Sequence, residues 1–347
     1  MWQRQKAGDR SALIQARQVN IGVGVEDIEY ISKKMAMEVF STHSRAAFQL
    51  MTERVELFAQ TYVDQLLIES PNAIENIKDP GVQAAILDAE SAYAKTGDDD
   101  LGALLVDILC KRTATMERNI VQLALAESIQ VAQKLTAQQY SSLSLIFLLR
   151  HVRLGAQSLR GLHQKWQDNL EPVAADAVVT SADAQHLIAT GCAVLLPVDK
   201  TIPEAILATY PGFFCMGLEA DNPAVKDLPE SYFQKCIRDP AKVQVCSADE
   251  TTLSEMMERK GANEAEKETL RNLLKANPMS DGDLIDELTS IAPSMRTVQD
   301  RWEGSIFPQL SLTSVGIVLA HSNVMRLTEG RFNAGLEVFL SPSQKGA

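Results

Sequence analysis

Three sets of side chains in this 347-residue chain could do chemistry. The first is a run of cations, Arg150, His151, Arg153, Arg160, His163 and Lys165, ending at Trp166. Guanidinium and ammonium groups attract phosphate oxygens, and an indole offers a face on which a base can stack. Arg150, Arg153, Arg160 and Trp166 are therefore candidate contacts for an anion or a nucleic acid. The competing reading is a cationic helix end paired with an acidic surface. The second set is His321 with Asn323, which follow the apolar run at 315–320 and point to a buried polar site. Ser314, Gly316 and Ala320 are small enough to let another element approach there. Glu219 or Asp300 is the expected partner of His321. The third is Cys215, after Phe213-Phe214 and before Gly217. To act as a nucleophile it needs a neighbouring base and a lowered pKa.

Other chemistries lack their patterns. There is no GxxxxGK[ST] and no GxGxxG opening a helix after a strand. The GxSxG, HExxH and kinase signatures are missing too. His43, His151, His163, His186 and His321 lie far apart in sequence. None has another His or Cys at metal-ligand spacing, so no metal and no cofactor are expected. Asp98-Asp99-Asp100 reads as a helix cap rather than a cation site. Glu250, Glu255, Glu258, Glu264, Glu266 and Glu268, interleaved with Arg259, Lys260 and Lys267, read as a solvated helix surface.

The elements that must hold these groups are mostly helical. No proline occurs between Met1 and Ser70. Over 26–69, apolar residues recur at steps of three or four, through Met51, Val55, Phe58, Tyr62 and Leu66. That predicts one helix about 65 Å long at 1.5 Å per residue, with Ser41-Thr42-His43-Ser44 as the alternative place for a break. Further helices are expected at 80–95, 99–112, 115–134 and from Thr136 onward. A short one starts near Ser181, and others cover 202–210, 248–260, 264–276, 280–291, 297–303 and 312–327. Residues 167–183 lack helical period and read as a linker. The run 192–199 fits strand or helix, residues 219–247 read mostly as loop, and 336–340 as a final strand.

The first 24 residues differ. Val19, Ile21 and Val23 alternate with Asn20, Gly22 and Gly24, which is strand periodicity. Ile14 belongs to a preceding short strand. So short a β segment cannot stand alone in water. A helical remainder would offer it no sheet edge, so pairing between copies through Ile14, Val19, Asn20, Ile21 and Val23 is the economical reading. The expected organisation is a β tag at 1–24, a helical bundle at 25–166, a linker at 167–183 and a mostly helical domain at 184–347. The fold class is mainly α.

Composition limits the partners. Lys and Arg number 33 against 45 Asp and Glu, a formal net charge of −12. A chain this acidic is not suited to coat nucleic acid or anionic membranes. Five cysteines without a CxxC pair read as reduced thiols. The polar N-terminus has no apolar signal core, and the apolar runs at 143–149 and 315–320 are far too short to span a bilayer. A soluble, cytoplasmic protein is expected.

Three stretches carry a resemblance. They are QKAGDRSALIQARQVNIGVG at 5–24, the segments DPGVQAAILDAESAYAKTGDDDLGALLVDILCKRT and KLTAQQYSSLSLIFLLR within 79–150, and SLTSVGIVLAHSN at 311–323. In order and spacing they resemble the LPO_1073/Vpar_1526 family of bacterial proteins. That family has no assigned activity and implies no catalytic residue. The N-terminal tag resembles those on bacterial conflict and phage-defence proteins, with Arg17-Gln18 where such tags often show Gly-Asp. The resemblance implies an oligomeric interaction or sensor protein of anti-phage defence, whose partners are itself and a phage or host protein. Nucleic acid and membrane are not expected partners. The alternative is an enzyme of unrecognised type, acting on nucleotide or nucleic acid near His321 or the 150–166 patch.

Overall fold

The computed structural model describes residues 25–340. The chain divides into two compact units, the first ending at Glu53 and the second beginning at Arg54. One helix, α1 (Val25–Glu69), runs through that division. In the first unit Met35, Met37, Phe48, Leu50 and Met51 are exposed. In the second, Phe58, Tyr62 and Leu66 of α1 are buried at helical spacing, with the Tyr62 hydroxyl 2.7 Å from that of Thr113.

Local chemistry sets the helix ends of the second unit. Ser70 and Pro71 stop α1, and Asp79 caps α2 (Pro80–Thr96) by accepting from the backbone of Gly81 and Val82. Gly97 ends α2 at φ 62°, a left-handed conformation that costs glycine little. Asp98 caps α3 (Asp99–Ala114), and Asn119 caps α4 (Ile120–Ala132), which begins later than the expected 115. Thr136 and Gln139 form a reciprocal box at α5 (Ala137–Arg150). Ser158 caps α6 (Leu159–Asp176) and Thr180 caps α7 (Ser181–Ala189). Thr201 and Glu204 box the start of α8 (Ile202–Thr209). Then follow α9 (Pro223–Lys226), α10 (Glu250–Lys260), α11 (Glu264–Leu274), α12 (Asp281–Ile291), α13 (Met295–Trp302), α14 (Ser314–Leu327) and α15 (Glu337–Leu340).

Among the described residues four short strands form two antiparallel pairs. β1 (Ala193–Leu195) pairs with β4 (Leu310–Leu312), and β2 (Phe233–Lys235) with β3 (Val243–Val245). The fold is thus mainly α, and the ambiguous run at 192–199 contains a strand. Residues 219–247, read mostly as loop, hold α9, β2 and β3. The expected strand at 336–340 is helical instead, as α15. Four residues in one helical turn settle that run where periodicity could not.

The expected linker also needs correction. Residues 167–176 continue α6, and only 177–180 separate it from α7. Leu162, Trp166, Leu170 and Val173 are buried at steps of four, four and three, so the segment is held by packing. Pro172 falls within its final turns. A single apolar core takes residues from both sides of this segment, from Phe58 to Leu336.

The centre of that core is α14. Residues 315–324 are all buried, and the helix packs on α3, α4, α5 and α6. Gly316 is required by close approach: a Cβ there would lie 2.0 Å from the Cys192 carbonyl oxygen. Phe332 and Leu336 close the core after α14, with Phe332 6.0 Å from Phe147 between ring centroids. A smaller core holds Leu218, Tyr232, Val245, Leu253, Leu270 and Leu274 around β2, β3, α10 and α11. Among the described residues no helix is long and apolar enough to cross a membrane.

Candidate functional site

His321 and Asn323 lie on α14 against α3 and α5. His321 is 2% exposed, and neither Glu219 nor Asp300 is its partner. Its Nε2 lies 2.8 Å from the Ala334 carbonyl oxygen and its Nδ1 3.4 Å from Lys111 Nζ. A carbonyl only accepts and an ammonium only donates, so Nε2 carries the proton and Nδ1 accepts. That is a neutral imidazole. Burial first, and the Lys111 charge second, push its pKa down to about 4, while the Ala334 bond opposes them. Lys111 also donates to Asp107 at 2.5 Å and to Ser322 Oγ at 3.4 Å.

Asn323 donates to Ser144 Oγ at 3.0 Å and accepts from Arg326 at 2.9 Å. Arg326 in turn donates to Asp100 at 2.5 Å. The Asp98-Asp99-Asp100 triplet is thus shared out: Asp98 caps α3 and Asp100 holds Arg326. Among the described residues no group of His, Cys, Asp and Glu could hold a metal. This network joins α3, α5 and α14, from the buried His321, Asn323 and Ser144 out to the partly exposed Lys111, Arg326 and Asp100.

The cations at 150–166 do not converge. Arg150 ends α5 and donates to the carbonyls of Pro308 and Lys200. Arg153 pairs with Asp249 at 2.6 Å. Trp166 is 3% exposed and stacks on Phe214, with centroids 5.7 Å apart and planes 5° apart. Its face is occupied by the core, which removes the stacking platform expected of it. His163 Nε2–H donates to the Glu287 carboxylate at 2.7 Å, and the same carboxylate accepts two bonds from Arg238. Burial pushes the Glu287 carboxyl up, but the bonds and charges of Arg238 and His163 outweigh it and hold it below the usual range. Arg160 is exposed, beside an open groove of about 590 Å³ that Phe213, Gln234, Ile237 and Cys246 also line.

Cys215 is buried and donates to the Ala276 carbonyl at 3.3 Å. Burial raises its pKa, which keeps it a thiol rather than the thiolate a nucleophile requires. Cys246 is the exposed cysteine, and nothing in its sequence neighbourhood marked it out.

The surface the sequence missed is at β1. Val194, Leu195, Leu196 and Val198 are all exposed, Leu195 by 51% and Val198 by 68%. Isolated apolar residues are ordinary on a surface, but four in five consecutive positions are not. The signal was the run CAVLLPVD at 192–199, whose apolar character was legible and whose exposure was not. The expected assembly residues Ile14, Val19, Asn20, Ile21 and Val23 lie outside the described residues.

The model of one protein family matches residues 22–340, which takes in all of the described fold. No curated protein and no solved structure matches the chain.

Proposed function

The chain belongs to the LPO_1073/Vpar_1526 family, and on that premise we propose that it is an oligomeric interaction protein of bacterial conflict, serving anti-phage defence. It assembles through its N-terminal β segment, and the helical body engages a phage or host protein. The observation that carries this reading is the exposed apolar series on α1, with Phe48 72% exposed. A helix that presents Met35, Met37, Phe48, Leu50 and Met51 to water marks an interaction surface. His321, Asn323 and Cys215 are hydrogen-bonded within the core, which favours binding over turnover. The tag supports the conflict setting through its resemblance to those of defence proteins.

Light scattering on the full chain and on a 25–347 truncation tests assembly. The full chain is expected as an oligomer and the truncation at lower mass. Plaquing of a phage panel on cells expressing either form tests the setting. Protection by the full chain that disappears with the truncation is the expected result. Equal mass for the two forms would sink the assembly role of the tag.

A further inference from the structure

We infer that the outer edge of β1 accepts a strand from a second copy of this chain, namely the alternating segment 19–23. The inference rests on the assembly reading above and names the surface that receives the tag.

The argument starts from backbone hydrogen bonds. The ladder sets Val194 opposite Ser311. It is flanked by bonds from Leu196 N–H to the Gln309 carbonyl, 2.7 Å, and from Thr313 N–H to the Cys192 carbonyl, 3.1 Å. In an antiparallel pair, alternate residues turn their polar groups to the opposite edge. On β1 those residues are Ala193 and Leu195. Ala193 is buried, whereas Leu195 is half exposed and its N–H and C=O have no hydrogen-bond partner among the described residues.

Protein surfaces protect such an edge with charge, proline or cover. The other sheet does so. Leu218 exchanges both backbone bonds with Val243 on the outer side of β3, at 2.7 and 3.0 Å, and β2 carries Lys235. On β1 no charge appears until Asp199, and Pro197 ends the edge without shielding Leu195. The exposed side chains Val194, Leu196 and Leu195 flank the free backbone on both faces. This is the chemistry of strand addition: main-chain bonds along the edge, with apolar side chains on either side.

The chain itself contains a matching donor. Val19, Ile21 and Val23 give one apolar face, Asn20, Gly22 and Gly24 an uncharged one, and strand periodicity demands an edge. On the assembly reading above this donor belongs to another copy, so a second copy's β1 is the edge we assign.

Complementation between full-length variants tests the assignment by light scattering. Ile21→Pro removes a donor-strand N–H. Leu195→Pro removes the outward N–H of β1, which the β1–β4 ladder does not use. Each variant alone is expected to fall to the mass of one chain. An equimolar mixture is expected to recover a two-chain species, because one variant keeps an intact edge and the other an intact strand. Val194→Lys repeats the acceptor effect without altering the backbone. If Ile21→Pro dissociates the oligomer while Leu195→Pro and Val194→Lys do not, the acceptor assignment is overturned and the assembly reading stands. A mixture that stays at one-chain mass overturns the assignment as well. If the wild-type chain has one-chain mass, or if every variant keeps the wild-type mass, both fall.

Discussion

Residues 315–320 read Val-Gly-Ile-Val-Leu-Ala, and residues 194–198 read Val-Leu-Leu-Pro-Val. The first run lies wholly inside the core, on α14, while four residues of the second face water at β1. Gly316 of the first admits the carbonyl of Cys192, two residues before the second. Apolar content does not separate them, and the difference lies in the backbone. A helix satisfies its interior N–H and C=O groups within itself, so α14 can be enclosed on every side. A strand satisfies alternate groups along each edge, so β1, which among the described residues pairs with β4 alone, keeps one edge without a hydrogen-bonded neighbour there.

That contrast can be broken most forcefully at α14. Leu319→Ala removes a fully buried side chain and should cost about 2–5 kcal/mol, read as a lowered urea midpoint. An unchanged midpoint would mean that the helix is not the centre of the core. Next comes pH. With the His321 pKa at about 4 instead of 6.5, the unfolded chain binds the proton before the folded one does. Stability is therefore full above 6.5 and declines as pH falls toward 4, by about 3 kcal/mol at 1.36 kcal/mol per unit. His321→Gln should flatten most of that slope in urea titrations between pH 7 and 5. His151, lowered by its own burial and by Arg150 and Lys200, leaves a residue of it. A slope unaffected by the substitution would contradict the enclosed, neutral imidazole.

A smaller effect is expected where Gly316 meets Cys192. Gly316→Ala sets a methyl group against a backbone oxygen and should cost about 1–3 kcal/mol, measured as a drop in thermal midpoint. The smallest change belongs to β1. Leu195→Ala should alter the stability of the fold by less than about 0.5 kcal/mol, because the side chain is half in water already. A loss comparable to that of Leu319→Ala would erase the distinction between the runs.

Helix boundaries were legible in the sequence because their causes are local. Asp79, Asp98, Thr136, Thr201 and Asn263 each cap the helix that follows them within three residues. The helical nature of 167–176 was legible in principle too. Leu162, Trp166, Leu170 and Val173 keep helical spacing, but Pro172 and the neighbouring aspartates suggested a break. Tertiary pairings were out of reach. Lys111 meets His321 across 210 positions of sequence, and Arg326 meets Asp100 across 226. No spacing rule links such positions, which is why the expected carboxylate partners of His321 were the wrong ones. Trp166 misled for a related reason: its cationic neighbours are set by the chain, but its stacking partner Phe214 comes from a distant loop.

The central position of α14 also has a consequence in time. Its first residue, Ser314, is synthesised more than 150 residues after α5 ends at Arg150. At about 5–20 residues per second, the ribosome needs on the order of ten seconds to cover that interval. Throughout it, α3, α4 and α5 hold apolar faces whose natural cover has not yet been made. The nascent chain thus carries those faces uncovered until α14 emerges. A message truncated before α14 would leave them uncovered in its product.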